Sequence, residues 1–240
     1  MKIEEIYNQL NEISSFELQE KWDNSGLLVG EMNREFEQIV IALDIDREML
    51  EYAKEDTLFI VHHPLIFSGL KQLDFSVYPS NLLEIMIQKR LSLIAMHTNF
   101  DKTHLNSYVF EKVLGFKKEF QDEFICRTTG NWTKDELLNL LKTKLNLETL
   151  RVVSPKNRIN SIALTTGAGA SLMDEVNADC FLTGDIKYHD AMKAMSQNLM
   201  MVDIGHYESE KFFVDVLMDE LKNLGHLGII SQSQNPFKII

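Results

Sequence analysis

Two histidines stand side by side in Val61-His-His-Pro-Leu-Ile-Phe67 (VHHPLIF), at the end of an apolar run and directly before a proline. A third, His97, follows the run Leu91–Met96 and leads into Thr98-Asn-Phe-Asp101 (HTNFD). A fourth, His206, follows LMMVDIG and opens His206-Tyr-Glu-Ser-Glu210 (HYESE), while Asp185 lies just past the strand-like stretch Asp179–Thr183. Neutral imidazoles and carboxylates are the usual protein ligands of zinc, manganese, iron, cobalt and nickel. His206 and Glu210 are four residues apart, so one helical turn sets both on one face. Neither HExxH nor HxH occurs, so the grouping must come from separate chain segments.

Neighbouring residues of a regular strand point to opposite faces, which makes it awkward for His62 and His63 to chelate one ion. Pro64 pushes His63 into extended or turn geometry. The pair therefore reads as straddling two metals, which in dinuclear sites lie roughly 3.5–4 Å apart with a carboxylate between them. Three imidazoles and two carboxylates would leave two divalent ions with surplus positive charge, suited to hydroxide and an anionic substrate. Taken singly, each residue has a structural reading as well: a hydrogen-bonded histidine at a strand end, Asp101 as a helix cap, Glu210 as a helix N-terminal charge.

The elements that must carry these residues alternate. Strands are expected at Gln38–Leu43, Thr57–Val61, Leu91–Met96, Glu123–Thr128, Thr149–Val153, Ser161–Thr165, Asp179–Thr183 and Leu199–Val202. Amphipathic helices are expected at Arg47–Lys54, Asn81–Lys89, Leu105–Leu114, Thr133–Leu145, Tyr188–Ser196 and Ser209–Leu224, with Thr133 and Glu136 at capping-box spacing. This pattern is α/β, with parallel or mixed sheets, although strand count alone also permits an eight-stranded barrel. In parallel sheets the strand C-termini share one edge, where ligands gather, and three strand ends deliver these four histidines there. A weak break falls near Thr128–Thr133, where RTTGNWT is polar and turn-like.

With 240 residues, 45% of them hydrophobic and 25% charged, the chain can bury a sizeable core in one large domain or two lobes. Its 24 basic and 36 acidic residues give a net charge of −12, which disfavours nucleic acid and anionic membranes as partners. Cys126 and Cys180 are too few for a disulfide framework or a thiolate zinc site and read as small buried residues in a reducing compartment. The start MKIEEIYNQL lacks the apolar run of a signal peptide, and no segment approaches the roughly 20 apolar residues of a membrane span. A cytoplasmic location is expected.

Assembled in order, Trp22-Asp-Asn-Ser-Gly-Leu-Leu-Val-Gly30, VHHPLIF, HTNFD, Leu182-Thr-Gly-Asp-Ile-Lys-Tyr-His189 and Gly205-His-Tyr-Glu-Ser-Glu210 make the chain resemble the NIF-three-like family, also called GTP cyclohydrolase 1 type 2 homologues. The resemblance runs over nearly the whole chain, and HHP with GHYxSE carries most of its specificity. It implies two interlinked α/β lobes with mixed, largely parallel sheets, here a metal-binding lobe of residues 1–127 plus 200–240 and a second α/β lobe of residues 128–199. It implies two divalent ions per chain: His63 and Asp101 would serve one, His62 and His206 the other, with Glu210 bridging. It further implies a toroidal homohexamer.

The activity so implied is a dinuclear-metal hydrolase that converts GTP and water to 7,8-dihydroneopterin triphosphate and formate through an activated hydroxide. Ring opening needs proton transfer, for which His97 and His189 are the remaining imidazoles nearest the motifs. A structural partner role for His97 and a surface or capping role for His189 are the alternatives. Two other classes of function are compatible with the same residues, a phosphate-ester hydrolase and a metal-binding regulatory protein without turnover. The stretch Thr165-Thr-Gly-Ala-Gly-Ala-Ser171 could hold phosphate on backbone N–H groups, but it matches no nucleotide-binding motif and reads better as a tight strand-to-helix turn with Ser171 as the cap.

Overall fold

The computed structural model describes residues 1–231 and 233–238. Among these the strands are β1 (Gly26–Val29), β2 (Gln38–Ala42), β3 (Thr57–Val61), β4 (Ser92–Ala95), β5 (Phe120–Asp122), β6 (Ile125–Thr133), β7 (Arg151–Val153), β8 (Arg158–Leu164), β9 (Cys180–Thr183), β10 (Met200–Asp203) and β11 (Gly228–Ile230). They form a five-stranded sheet, β1-β4-β3-β2-β11, and a six-stranded sheet, β5-β6-β8-β9-β10-β7. The chain divides into two compact units, Met1–Phe100 with Phe213–Ile240, and Asp101–Phe212.

In the first unit β2, β3 and β4 are parallel, with Ala42, Val61 and Ala95 in register across them. All five residues of β3 are buried, as a central strand covered on both faces requires. Val40, Ala42, Phe59, Val61, Leu93 and Ala95 form one face of the sheet and pack with Leu50, Leu82, Leu83 and Met86 from two helices. Helix Phe213–Asn223 lies against β2 and β11. Strand β1 runs antiparallel to β4, which sets Gly26 opposite Ala95. The start of β1 therefore meets the C-terminal end of β4, at the edge where β3 and β2 also end.

In the second unit β8, β9 and β10 are parallel, while β5, β6 and β7 pair antiparallel toward the two edges. Its core includes Ile125, Ala163, Phe181 and Met201 from the sheet, with Met173, Ile186 and Ala194 against them. Helix Lys134–Leu145 starts as its sequence requires: Thr133 Oγ1 accepts from the Glu136 N–H at 3.3 Å, and Glu136 accepts from the Thr133 N–H at 2.8 Å.

The two compact units have other bounds than the lobes expected from the sequence, at Phe100/Asp101 and Phe212/Phe213. The segment RTTGNWT is not a break but the second half of β6, paired with β8 across a register shift between Thr129 and Trp132. Gly130 makes room for the Trp132 ring there, since a Cβ would lie 2.2 Å from Cη2. Its turn-like composition reflects a bulge within a strand. At the other boundary β10 lies between β9 and β7, so His206 and Glu210 issue from the second sheet. The segment that returns to the first unit begins at Phe213.

Cys126 and Cys180 are fully buried. Burial pushes the Cys126 thiol up to about 11 and the Cys180 thiol higher still. Both remain protonated at pH 8, and the thiolate is the reactive form. Ellman's reagent should therefore titrate neither cysteine in the folded chain and both in guanidinium. Rapid reaction of either in the folded protein would contradict this burial. Among the described residues no helix is long and apolar enough to cross a membrane.

Candidate metal centre

The first unit gathers one set of ligand groups at the C-terminal edge of its sheet. At the end of β3 the chain leaves strand geometry at once, and the N–H groups of His62 and His63 both donate to the Leu43 carbonyl, at 3.2 and 3.1 Å. This turn carries the adjacent histidines out of the alternation that would part them. Their ring centroids are 4.9 Å apart, and each ring stands near that of His97, at 5.2 and 5.6 Å. The three histidines can each offer one nitrogen such that all three atoms lie within 4.8 Å of one another.

Each imidazole is held through Nδ1. His62 Nδ1 is 2.9 Å from the Met96 carbonyl oxygen, which can only accept, so this nitrogen carries the proton and Nε2 the lone pair. His63 Nδ1 is 2.8 Å from Asp44 Oδ1, and His97 Nδ1 is 2.7 Å from Asp23 Oδ1. Both carboxylates come from the same edge, Asp44 two residues past β2 and Asp23 three residues before β1.

Asp23 is fully enclosed and accepts from the N–H groups of Asn24 and Thr98, the hydroxyls of Ser25 and Thr98, and His97. Burial alone would raise its pKa, but the hydrogen bond and charge of His97 and the other donors outweigh it and hold the carboxyl well below its ordinary range.

The second unit builds another set by the same rule. Leu164, Leu182 and Val202 are in register across β8, β9 and β10, so the loops that follow leave one edge together. His206 opens helix His206–Glu210 and stands with both ring nitrogens against carboxylates: Nδ1 is 2.7 Å from Asp185 Oδ2, and Nε2 is 2.9 Å from Glu210 Oε2. His206 Nε2 and Glu210 Oε2 are close enough to bind one cation side by side. The backbone of Gly167 comes so close that a Cβ would lie 2.0 Å from Glu210 Oε1, and its φ of +62° also favours glycine. Ser209 Oγ, buried below, accepts from the Gly167 N–H at 3.0 Å and donates to the His206 carbonyl at 2.8 Å.

The Thr165–Ser171 loop is the ordinary turn that its sequence favours. The Thr166 N–H donates to Asn106 Oδ1, Gly167 to Ser209 and Gly169 to Thr183 Oγ1, which leaves these amides facing the fold and not a phosphate. Ser171 is not the cap: it lies inside the 3₁₀ segment Gly169–Glu175, which Ala168 precedes.

Asp101 is buried, 8% exposed, at the first position of the π-helical turn Asp101–Leu105. His189 stands exposed on helix Tyr188–Ser196, edge-on to Tyr188, and joins none of the ligand groups among the described residues. Asp23 and Asp44 are the residues that the sequence reading missed. The signal that finds the histidines, a polar residue just past an apolar strand, also marks Asp44.

Comparison with known proteins adds to this geometry. The family model for Duf34/NIF3 (NGG1p interacting factor 3) matches residues 1–236. A Campylobacter jejuni protein named GTP cyclohydrolase 1 type 2 homolog is 46% identical over 239 residues, covering 99% of each chain. A Helicobacter pylori protein named GTP cyclohydrolase 1 type 2 is 42% identical over 240 residues, again covering 99% of each. A Staphylococcus aureus protein of known crystal structure superimposes with a TM-score of 0.83 at 26% identity, covering 100% of this chain and 99% of that one.

Proposed function

The chain belongs to the Duf34/NIF3 family, and on that premise we propose that it is a metal-dependent hydrolase that converts GTP and water to 7,8-dihydroneopterin triphosphate and formate. The observation that carries this reading is the uniform wiring of four histidines. His62, His63, His97 and His206 each engage Nδ1 with a carbonyl or carboxylate, which makes Nε2 the nitrogen placed to ligate. Ligating histidines are held in this way, because the second hydrogen bond sets the tautomer and raises the basicity of the ligating nitrogen.

His62, His63, Asp101, His206 and Glu210 would hold two divalent ions, with Glu210 shared. Such ions supply an activated water and neutralise developing negative charge. The protein residues do the rest. Asp44 and Asp185 orient His63 and His206, and the Met96 carbonyl orients His62. His97 Nε2, backed by Asp23, accepts a proton as water adds to the purine C8 carbon and returns it to the ring nitrogen as the C8–N9 bond opens. A second water cleaves the remaining N7–C8 bond and releases formate; the ribose then rearranges to a 2-ketose whose carbonyl condenses with the freed amine and loses one water, so that one water is consumed overall. The toroidal homohexamer implied by the family resemblance belongs to the same proposal.

The test is formate release from GTP by protein loaded in turn with zinc, manganese, iron, cobalt or nickel, with products identified by mass spectrometry. Formate and dihydroneopterin triphosphate in equal amounts are expected with at least one metal. Fully loaded protein that releases no formate with any of them would overturn the assignment.

A further inference from the structure

We propose that Trp22 and Phe67 form a stacking platform for the planar purine ring of the substrate, next to His97; this rests on the nucleotide reading above. Trp22 is 58% exposed and Phe67 50% exposed, yet they lie together, with ring centroids 5.8 Å apart and planes at 39°. Each stands edge-on to the His97 imidazole at 6.2 Å, with interplanar angles of 77° and 76°. Two large aromatic rings thus face solvent beside a ligand-bearing cluster.

The chain holds these rings in place with bonds that the rings do not themselves make. Asn24 Nδ2 donates to the Ile66 carbonyl at 2.5 Å, tying the residue two past Trp22 to the residue just before Phe67. The Ser25 N–H donates to Gln19 Oε1 at 2.7 Å and closes the Trp22 loop from the other side. Asp23, between Trp22 and Asn24, is the enclosed carboxylate that holds His97. The position of the indole and the orientation of His97 are therefore set by adjacent residues of one fixed turn. An exposed indole on such a turn is pre-organised to receive a flat ligand.

Geometry and charge select the ligand class. A ring held between two others needs about 7 Å between them, given carbon contacts of about 3.5 Å on each side, so the 5.8 Å separation excludes a sandwich. The ligand stacks on the outward face of the pair. Aromatic faces carry negative potential, which repels phosphate but accepts a heteroaromatic base. Base–aromatic stacking of this kind contributes roughly 5- to 150-fold in affinity.

The test measures binding of guanosine and of inorganic triphosphate, metal content and subunit assembly for metal-loaded wild type, Trp22→Ala, Trp22→Phe and Phe67→Ala. Trp22→Ala should lose about 5- to 150-fold in guanosine affinity while it keeps its metal and binds triphosphate as wild type does. Trp22→Phe should recover most of the loss, and Phe67→Ala should show a smaller one. Unchanged guanosine affinity in Trp22→Ala, or no guanosine binding by wild type, would overturn the platform. A loss confined to triphosphate binding would do the same, as would altered assembly with unchanged nucleoside affinity, which would mark a contact between copies. Weakened guanosine binding without formate release from wild type would leave the platform standing and remove only the cyclohydrolase reading. Formate release with a Trp22→Ala protein that binds guanosine normally would remove only the platform.

Discussion

Glu210→Ala should strip both ions from the purified protein and abolish formate release. The effect should exceed the roughly 10- to 100-fold loss that follows removal of a residue that only supports a ligand. Glu210 is 3% exposed, faces His206 Nε2 at 2.9 Å and is closely approached by the Gly167 backbone. If it bridges, its loss removes a ligand from each ion and leaves their mutual repulsion unscreened. Elemental analysis that finds full metal content in Glu210→Ala would contradict the bridging role.

The second large effect separates proton transfer from ligation. His97→Ala should keep its metal and slow formate release by roughly 10²–10⁴-fold, the range over which a positioned acid–base group acts. His62→Ala should lose both metal and activity. His97 lies close enough to His62 and His63 to ligate with them, so metal retention is the informative readout. A His97→Ala protein that loses its metal would make His97 a ligand. One that keeps both metal and full activity would remove it from the reaction.

Much of the site was legible because the histidines lie just past apolar runs whose strand character is plain. Thr57–Val61 is a strand with the expected bounds, and Tyr188–Ser196 a helix with the expected bounds. The supporting carboxylates were harder to read. Asp23 acts through β1, a strand of four residues of which one is buried, and its antiparallel pairing with β4 is a tertiary fact with no local signal. Strand β5 is exposed throughout and β11 is three residues long, so neither shows the alternation that marks a half-buried strand.

Helix Ile3–Ile13 did carry a signal, buried apolar residues at positions 3, 6 and 10. The expected helix Ser209–Leu224 is two, His206–Glu210 and Phe213–Asn223, and this break ends one unit and begins the return to the other. Expected helix Leu105–Leu114 begins earlier, at Thr98, and alternates α and π turns as far as Val113. The π turn Asp101–Leu105 begins at the buried carboxylate, a place where such irregular turns are common. The alternation of strand residues does not reach His62 and His63, because the strand ends at Val61 and both following amides converge on one carbonyl.

The most direct measurement of the central claim is anomalous diffraction at the absorption edge of the metal from crystals of metal-loaded protein. Two peaks are expected, bonded between them to Nε2 of His62, His63 and His206 and to the carboxylates of Asp101 and Glu210, with each Nδ1 still on its present partner. No peak within bonding distance of these atoms, or ions bound through Nδ1 with the bonds to Met96, Asp44 and Asp185 broken, would contradict it.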